Sequence, residues 1–343
     1  MSMGGRFALS LLIAVVLAWL PTRVEAQDAE ELFRKVNSSV LVISAKGRDV
    51  GPRGLFTFTE IGSGVLISAD GKVMTAAHVV HAMDEIFVES IGGETVPARV
   101  IASEPAADLS LLQLARVPKG AQAAPLGDSD RVRVGQQVLV IGAPYGLSHS
   151  FSAGWISAKW LPNTAYRAMP LAEFFQTTAT INTGNSGGPM FNWAGEVIGV
   201  VSHNISRSGG SEGLGFVVTM KSARYFLMDR EWAWIGLEGT VVTDELAEIF
   251  NVPGGSGLLV SVVPMRSTAW DMGILGGDRI ATIRGQDLVV RGDIVLSMAG
   301  IAIKSDADLP KIREKVGAMK TGEPFKTSVL RAGRVIELTG KAP

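Results

Sequence analysis

The sequence predicts a mostly β protein in which two β-barrels are followed by a small α+β domain. Short, strand-like apolar runs recur at regular spacing in two sets of six, which is typical of small barrels. After Trp232 the pattern changes to fewer strands and an amphipathic helix. A chain of 343 residues that is 47% hydrophobic can bury two separate cores, and we place the two domains at residues 27–231 and 232–343.

Residues 1–26 have the composition of an export signal. Arg6 supplies the positive start, residues 7–20 form an apolar core interrupted only by Ser10, and residues 24–26 form a small-residue cleavage site. Because a membrane span needs about 20 apolar residues, cleavage is the favoured interpretation. The charged Arg23 and Glu25 leave a second interpretation open, an uncleaved anchor that tethers the protein to a membrane through residues 7–20.

The composition excludes several kinds of partner and cofactor. The net charge of −1 implies no general attraction to nucleic acid or to anionic lipid. Without cysteine the chain has no disulfide, no thiolate metal site and no cysteine nucleophile. The four histidines show no His-x-x-x-His or Glu-x-x-His pattern, so we expect no metal and no other cofactor.

A short amphipathic helix over Asp28–Val36 is predicted at the start of the mature chain, with Asp28 as its cap and Leu32, Phe33 and Val36 on one side. Asp70-Gly71 is typical of a hairpin turn between two strands of the first barrel. The strands predicted for that barrel are Val40–Ser44, Gly64–Ser68, Lys72–Ala76, Glu85–Glu89, Val96–Ala102 and Leu109–Leu114.

The stretch Pro118–Val134, rich in Ala, Gly and Pro, is predicted to connect the two barrels. A helix over Thr219–Trp232, capped by Thr219, is predicted to close the second barrel. The strands predicted between them are Gln137–Gly142, Phe151–Ala158, Phe174–Ile181, Met190–Asn192, Glu196–His203 and Leu214–Thr219. The C-terminal domain is predicted to contain strands at Leu258–Val263, Gly292–Met298 and Lys326–Arg331 and a helix at Asp308–Met319.

Three short motifs carry the residue types of a serine hydrolase. Residues 184–189, Gly-Asn-Ser-Gly-Gly-Pro, place Ser186 on a glycine-rich turn where backbone N–H groups can converge on an oxyanion. His78 ends an apolar run, and Asp108 precedes another. The order His, Asp, Ser differs from that of subtilisin-like enzymes and α/β-hydrolases, and it matches the chymotrypsin-like double β-barrel.

With these motifs the chain resembles the HtrA (DegP/DegS-like) family of trypsin-like serine proteases over nearly all of its mature length. The resemblance makes Ser186 the nucleophile, His78 the general base and then acid, and Asp108 the group that fixes the imidazole tautomer. It places the oxyanion hole on the backbone N–H groups of Gly184 and Ser186. Taken singly, the triad residues could instead be a surface histidine, a turn-capping aspartate and a loop serine.

The resemblance also places a specificity pocket and a substrate-pairing edge. Ile181, Ile205 and Leu214 match the pocket positions, and their aliphatic side chains favour small or medium apolar substrate residues such as Val, Ala or Ile. The alternative is that these three residues belong to an ordinary barrel core. Val201 and His203 lie on the edge expected to pair with an extended substrate backbone.

The C-terminal domain resembles an HtrA-type PDZ domain, in which a loop of the pattern aromatic-apolar-Gly-apolar receives a peptide's terminal carboxylate on backbone N–H groups. The residues that match this loop are Trp234, Ile235, Gly236 and Leu237, which could otherwise be a plain strand. The Gly-Asp pair that begins a strand in such domains occurs twice, at Gly277-Asp278 and Gly292-Asp293. We therefore expect an extra hairpin inserted before the second copy.

The family resemblance implies an exported, ATP-independent serine endopeptidase that cleaves unfolded or signalled proteins in envelope quality control. It implies the bacterial periplasm, with the protein soluble or tethered to the inner membrane, and a PDZ domain that senses C-terminal peptides. It also implies a homotrimer, in which Phe33 could pack between subunits or on its own barrel.

Two alternatives remain, and the first belongs to a different functional class. One is a latent or non-proteolytic PDZ-containing holdase, whose loops Tyr145–Gly154 and Ser202–Gly213 must order before any cleavage. The other is a digestive protease of ordinary trypsin type, which the PDZ-like tail and the aliphatic pocket disfavour.

Overall fold

The computed structural model describes residues 29–165, 168–207 and 210–343. The predicted export signal and the predicted helix cap Asp28 lie outside these ranges. Within them, none of the helices has the length and apolar character that a membrane crossing requires.

A short helix, α1 (Ala29–Val36), precedes the barrels. It buries Leu32 and Val36 in the core that lies between them. The Phe33 ring meets the Phe151 ring edge to face, with centroids 6.0 Å apart. Phe33 therefore packs on the second barrel of its own chain, which is one of the two placements that the sequence left open.

The first barrel is closed in the strand order β1-β2-β3-β6-β5-β4, with a one-turn helix, α2 (Ala77–Val80), after β3. Its strands are β1 (Val40–Gly51), β2 (Gly54–Leu66), β3 (Lys72–Thr75), β4 (Glu85–Glu89), β5 (Thr95–Glu104) and β6 (Leu109–Leu114). The strands β1 and β2 are longer than predicted because they continue beyond the barrel as a hairpin. Most side chains at residues 54–59 are exposed, so this part lacks the apolar pattern of a buried strand.

The second barrel is closed in the order β10-β11-β12-β9-β8-β7, so the prediction of two barrels is confirmed. Its strands are β7 (Gln137–Gly142), β8 (Ser150–Trp160), β9 (Phe174–Thr177), β10 (Pro189–Phe191), β11 (Val197–Asn204) and β12 (Gly215–Thr219). The helix α3 (Met220–Leu227) follows, and the Thr219 side chain accepts a hydrogen bond from the N–H of Ser222. The predicted continuation of this helix to Trp232 is wrong, because the N–H groups of residues 228 and 229 both turn back to the carbonyl of Arg224 and end it.

The C-terminal unit is built on a sheet of order β13-β14-β17-β19-β20, with β18 paired to β17. Its elements are β13 (Glu238–Thr243), α4 (Asp244–Ile249), β14 (Ser256–Val262), α5 (Thr268–Asp271), β15 (Arg279–Ile283), β16 (Gln286–Val290), β17 (Ile294–Met298), β18 (Ile301–Ala302), α6 (Asp308–Gly317), β19 (Pro324–Arg331) and β20 (Arg334–Lys341). Neither β13 nor β20 was predicted, because both carry mostly exposed or half-exposed side chains.

The extra hairpin expected from the repeated Gly-Asp pair is present as β15 and β16, which form a separate two-stranded sheet. Its turn, Arg284-Gly285, has φ values of 54° and 75°, which is the backbone of a tight hairpin turn. The second Gly-Asp pair precedes β17 of the main sheet, and the Arg331 guanidinium donates to the buried Asp293 carboxylate at 2.7 Å. The hairpin lies against β1 and β2 of the first barrel.

Charged contacts join the C-terminal unit to the first barrel. The Arg313 guanidinium on α6 donates to the Glu104 carboxylate at 2.7 Å and to the carbonyl of Ser103 at 3.0 Å. At a second point, the Asp84 carboxylate accepts from Arg48 at 2.7 Å and from the N–H of Met265 at 2.8 Å. A cavity of about 530 Å³ lies between the two units.

Candidate active site

The His78 and Asp108 side chains meet on the first barrel. His78 lies on α2, and its Nδ1 is 2.9 and 3.0 Å from the two carboxylate oxygens of Asp108. The backbone N–H of His78 also donates to Asp108, at 3.1 Å. Because a carboxylate only accepts, Nδ1 carries the hydrogen and Nε2 keeps its lone pair.

The environment of this pair changes the pKa of His78. Burial lowers it, while the hydrogen bond and the charge of Asp108 raise it, and the net result is a pKa above the ordinary value of 6.5. Asp108 itself is only 1% exposed. Asp108 accepts several hydrogen bonds, and these offset the free-energy cost of burying its carboxylate.

The backbone turn before Asp108 is fixed by Glu104. A 3₁₀ turn, Pro105–Ala107, leads into Asp108, which has a left-handed backbone with φ of 54°. The Glu104 carboxylate accepts from the N–H of Ala106 at 3.2 Å and so caps this turn. Glu104 is also the partner of Arg313, so one carboxylate contacts both the C-terminal unit and the turn that places Asp108.

The serine loop, residues 184–188 just before β10 of the second barrel, requires glycine at two positions. Gly184 has φ of 98°, and a Cβ there would lie 2.1 Å from the carbonyl oxygen of Ala143. Gly187 has φ of 84°, and a Cβ there would lie 2.1 Å from the hydroxyl of Thr75 in the first barrel. Both contacts are shorter than any real side chain allows, so the loop can approach its neighbours only with glycine at these positions.

Ser63 of the first barrel holds this loop, and sequence reasoning missed it. Its hydroxyl donates to the carbonyl of Gly184 at 2.7 Å and accepts from the N–H of Ala143 at 2.9 Å. Its backbone N–H donates to the carbonyl of Ser186 at 2.8 Å. The only signal in the sequence is a serine between two glycines, Gly62-Ser63-Gly64, in a barrel strand.

The Ser186 hydroxyl donates to the backbone carbonyl of Ser202 at 3.0 Å. Across the described parts of the chain, no hydrogen bond joins Ser186 to His78, and the N–H groups of Gly184 and Ser186 donate to no protein group. The structure therefore brings the three predicted triad residues to one place, with the Ser186 hydroxyl turned toward a backbone acceptor.

Ser202 is a second residue that sequence reasoning missed as a site group. It is 1% exposed, and its hydroxyl donates to the Asp108 carboxylate at 2.5 Å. Asp108 thus accepts from His78 on one barrel and from Ser202 on the other. Ser202 lies within the predicted substrate-pairing edge, but nothing in the sequence indicates which way its side chain points.

The predicted pocket residues Ile181, Ile205 and Leu214 lie close together on the second barrel. Ile181 is buried against Gly215, whereas Ile205 and Leu214 are partly exposed and pair through a backbone hydrogen bond of 2.9 Å. The Asn204 side chain donates to the carbonyl of Ile181 at 3.1 Å and so connects these residues. Of the predicted activation loops, part of the first belongs to β8, and residues 208 and 209 of the second lie outside the described ranges.

The assignment of Val201 to the substrate-pairing edge is a mistake that the hydrogen bonds correct. Its N–H donates to the carbonyl of Gly188 at 2.8 Å, and its carbonyl accepts from the N–H of Gly187 at 2.7 Å. Both backbone groups are therefore used by the serine loop. The pairing edge can begin only beyond this residue, toward His203.

The predicted carboxylate loop, residues 234–237, borders the cavity between the C-terminal unit and the first barrel. Gly236 has φ of 71° and its carbonyl accepts from the Ser267 hydroxyl at 3.1 Å. Within the described chain, the N–H groups of Ile235, Gly236 and Leu237 donate to no protein group. The Trp234 side chain packs on the core of the first barrel, so the loop touches both units.

The structure has two closed six-stranded barrels, and a histidine, an aspartate and a serine flanked by glycines lie at their junction. These features are typical of a trypsin-like serine peptidase. A family model described as a trypsin-like peptidase domain matches residues 62–200, which include all three side chains. The relatives and solved structures that match the chain are proteases of the HtrA type that its motifs predicted.

Similar proteins support this assignment. The chain is 37% identical over 283 residues to a probable periplasmic serine endoprotease DegP-like of Pseudomonas putida, and 38% identical over 282 residues to that of Ectopseudomonas mendocina. Each match covers 80% of this chain and 54% of the relative, so the chain spans about half the length of these curated relatives. The solved HtrA-type protease AlgW with decapeptide matches 92% of this chain and 98% of its own, with 25% identity and a TM-score of 0.53.

Proposed function

We propose that this chain is a serine endopeptidase in which Ser186 is the nucleophile, His78 the general base and Asp108 the residue that orients it. The observation that carries the proposal is the bond between the buried Asp108 and Nδ1 of His78, because it leaves Nε2 as a base directed away from the carboxylate. The raised pKa of His78 suits a group that must first accept a proton and then return it.

The proposed reaction begins when the Ser186 hydroxyl leaves the carbonyl of Ser202 and donates to Nε2 of His78. Its Oγ then attacks the scissile carbonyl, and the proton passes to His78, whose charged form Asp108 stabilises. The N–H groups of Gly184 and Ser186 stabilise the oxyanion. His78 protonates the leaving amine, and water releases the acyl group by the same steps in reverse.

The proposed substrates are unfolded or signalled polypeptides, and the proposed location is the periplasm. The names of the relatives support this location, and an extended chain could add to the edge of β11 near His203, where pairing with β10 has ended at Val200. The aliphatic side chains of Ile181, Ile205 and Leu214 favour small or medium apolar residues at the cleavage position. We further propose homotrimeric assembly, by analogy with the family.

The C-terminal unit, residues 232–343, is proposed to be a PDZ domain that binds C-terminal peptides. Three consecutive N–H groups, those of residues 235–237, have no protein acceptor within the described chain and border an apolar cavity. This arrangement suits a carboxylate followed by an apolar side chain. The structurally similar AlgW, an HtrA-type protease, was solved with a decapeptide.

A second candidate, a latent protease or peptide-binding holdase, is favoured by one observation. The Ser186 hydroxyl is bonded to Ser202 rather than to His78, so the described arrangement is not poised for attack. The two candidates differ in whether cleavage occurs at all, and in whether a peptide ligand starts it.

Cleavage of casein by the purified protein, beside its Ser186→Ala variant, tests the proposal. We expect cleavage by the unaltered protein and none by the variant, while Ser38→Ala, at a half-exposed serine outside the three motifs, keeps full activity. If none of the three proteins cleaves casein, even after addition of peptides with free apolar C-termini, the result contradicts the protease function and supports the holdase.

A further inference from the structure

A second histidine, His203, is connected to the catalytic carboxylate through Ser202. Its ring is stacked on Phe216, with centroids 5.1 Å apart and planes inclined by 7°. Phe174 meets the same ring edge to face at 5.6 Å. These two contacts fix the plane of the imidazole, and its Nδ1 lies 3.0 Å from the hydroxyl oxygen of Ser202.

The direction of the hydrogen bonds follows from counting hydrogens. The Ser202 hydroxyl has one hydrogen, and it lies 2.5 Å from a carboxylate oxygen of Asp108, which can only accept. That hydrogen is therefore committed to Asp108. The hydroxyl oxygen must then accept from His203, so Nδ1 of His203 carries a hydrogen and donates it to Ser202.

We propose that His203 is a positioning residue for the triad: its Nδ1–H holds the Ser202 hydroxyl, which in turn holds Asp108 toward His78. This inference rests on the proposed serine protease function. The hydrogen bonds run from His203 to Ser202 to Asp108, and Asp108 also accepts from His78 on the opposite side. A donor that is itself hydrogen-bonded is more strongly polarised, so the contact to Asp108 is tighter and better oriented than Ser202 alone provides.

The surroundings of His203 keep it in the neutral form that this role uses. Burial among Phe174 and Phe216 lowers its pKa; the charge of Asp108 raises it, and a charged His78 lowers it, with a net pKa below the ordinary value. The pKa of His78 is shifted the other way. His203 therefore loses its proton at a lower pH than His78 does.

Two substitutions separate the hydrogen bond from the ring contacts. His203→Phe keeps an aromatic ring against Phe174 and Phe216 but removes the donor. His203→Asn removes the ring but places an amide N–H near the position of Nδ1. For a positioning role, we expect His203→Phe to lower kcat roughly tenfold, the order of one hydrogen bond, with KM unchanged, and His203→Asn to recover most of that loss.

A double substitution tests whether His203 acts through Ser202. We expect Ser202→Ala to reduce kcat by a similar factor, and His203→Phe added to Ser202→Ala to cause no further loss, because the group that it acts on is already gone. The rate at which a small phosphonyl fluoride labels Ser186 is measured in parallel. This reagent does not occupy the substrate-pairing edge, so its rate reports on the triad alone.

The outcomes separate this inference from the proposed function. If the unaltered protein neither cleaves casein nor is labelled at Ser186, the protease function fails and the inference fails with it. If the unaltered protein is active but His203→Phe changes only KM, or leaves the labelling rate unchanged, His203 is a substrate contact and the positioning role is overturned. The positioning role is also overturned if the loss of kcat in the double variant equals the product of the losses in the two single variants. Rates are referred to the folded fraction by circular dichroism.

Discussion

At the scale of single residues, Asp108 is the point at which polar contacts from both barrels converge. It accepts from the ring and the backbone of His78 on the first barrel and from Ser202 on the second. A carboxylate with this many donors is held in one orientation. Its proposed role, fixing the tautomer and stabilising the charged imidazole, needs that orientation.

Replacing Asp108 with asparagine is expected to lower kcat about 10⁴-fold while the protein stays folded. The amide N–H₂ facing Nδ1 would force the hydrogen onto Nε2 of His78, so the base would lose its lone pair. Peptide hydrolysis under saturating substrate measures the effect. Asp271→Asn, at an exposed aspartate on α5, serves as the matched control and should leave kcat unchanged. A loss below about tenfold would show that Asp108 does not fix the tautomer.

The raised pKa of His78 predicts the acid side of the pH profile. Activity needs neutral His78, so kcat/KM should fall as the pH drops through a midpoint above 6.5. The same shift favours the folded protein below pH 6.5, and this contribution to stability is lost as the pH rises through the raised pKa. A pH–rate profile of peptide cleavage measures the midpoint, and a value at or below 6.5 contradicts the prediction.

At the scale of elements, the ion pair between β5 and α6 joins the two units. Glu104 has a side chain only 2% exposed, and its partner Arg313 is 19% exposed. Arg313 also lies over the Trp232 ring, with its guanidinium carbon 4.5 Å from the ring centroid. A buried pair of this kind is weak evidence for stability by itself, but breaking it leaves an uncompensated charge.

Arg313→Met is therefore expected to lower the free energy of unfolding by about 3 to 5 kcal/mol. Urea denaturation measures the change. Lys311→Met on the same helix, at a lysine whose side chain is exposed, should change it by less than about 1 kcal/mol. Combining Arg313→Met with Glu104→Gln should recover part of the loss, because the buried charge is then removed. Equal effects of the Arg313 and Lys311 substitutions would contradict the buried-charge explanation.

The elements also show which parts of the fold the sequence could predict. The strands β4, β6 and β7 have the predicted bounds, because each alternates or runs apolar between clear turn signals. The outer part of β1–β2 and the strand β13 were missed, since their exposed side chains carry no apolar pattern. An apolar pattern in the sequence indicates a buried strand. These segments pair as strands but are not buried, so the pattern is missing.

Some residues of the candidate site could be predicted from local sequence and others could not. His78, Asp108 and Ser186 lie in local motifs, so residue type and order identified them. Ser63 and Ser202 act through contacts with residues 121 and 94 positions away in the chain, which no local pattern records. Val201 was misassigned because a strand edge in the sequence does not reveal which of its backbone groups a neighbouring loop already uses.

At the scale of the whole molecule, the cavity of about 530 Å³ has walls from both units. His81, Glu104 and Ala106 line it on the barrel side, and the loop 234–237 and α6 line it on the other. A ligand bound there would contact the turn that precedes Asp108 as well as the C-terminal unit. This contact is a physical route by which binding could change the geometry of the active site, and any such coupling would act in both directions.

Peptides that end in apolar residues with a free carboxylate are expected to raise the rate of casein cleavage severalfold. The same peptides with an amidated C-terminus lack the charge that the free N–H groups of residues 235–237 would bind, so they should have little effect. Initial rates against peptide concentration measure this. Equal stimulation by the free and amidated peptides would exclude a carboxylate loop at residues 234–237.

The contacts of Ser63 with the serine loop have a consequence for when activity can arise during synthesis. Ser63 and Gly184 are 121 residues apart, and contacts at such a separation are slow to form because a long stretch of chain must first be closed. Both segments must have been synthesised before Ser63 can hold the loop. A chain made only as far as the first barrel carries His78 and Asp108 but not Ser186, so we expect it to have no peptidase activity.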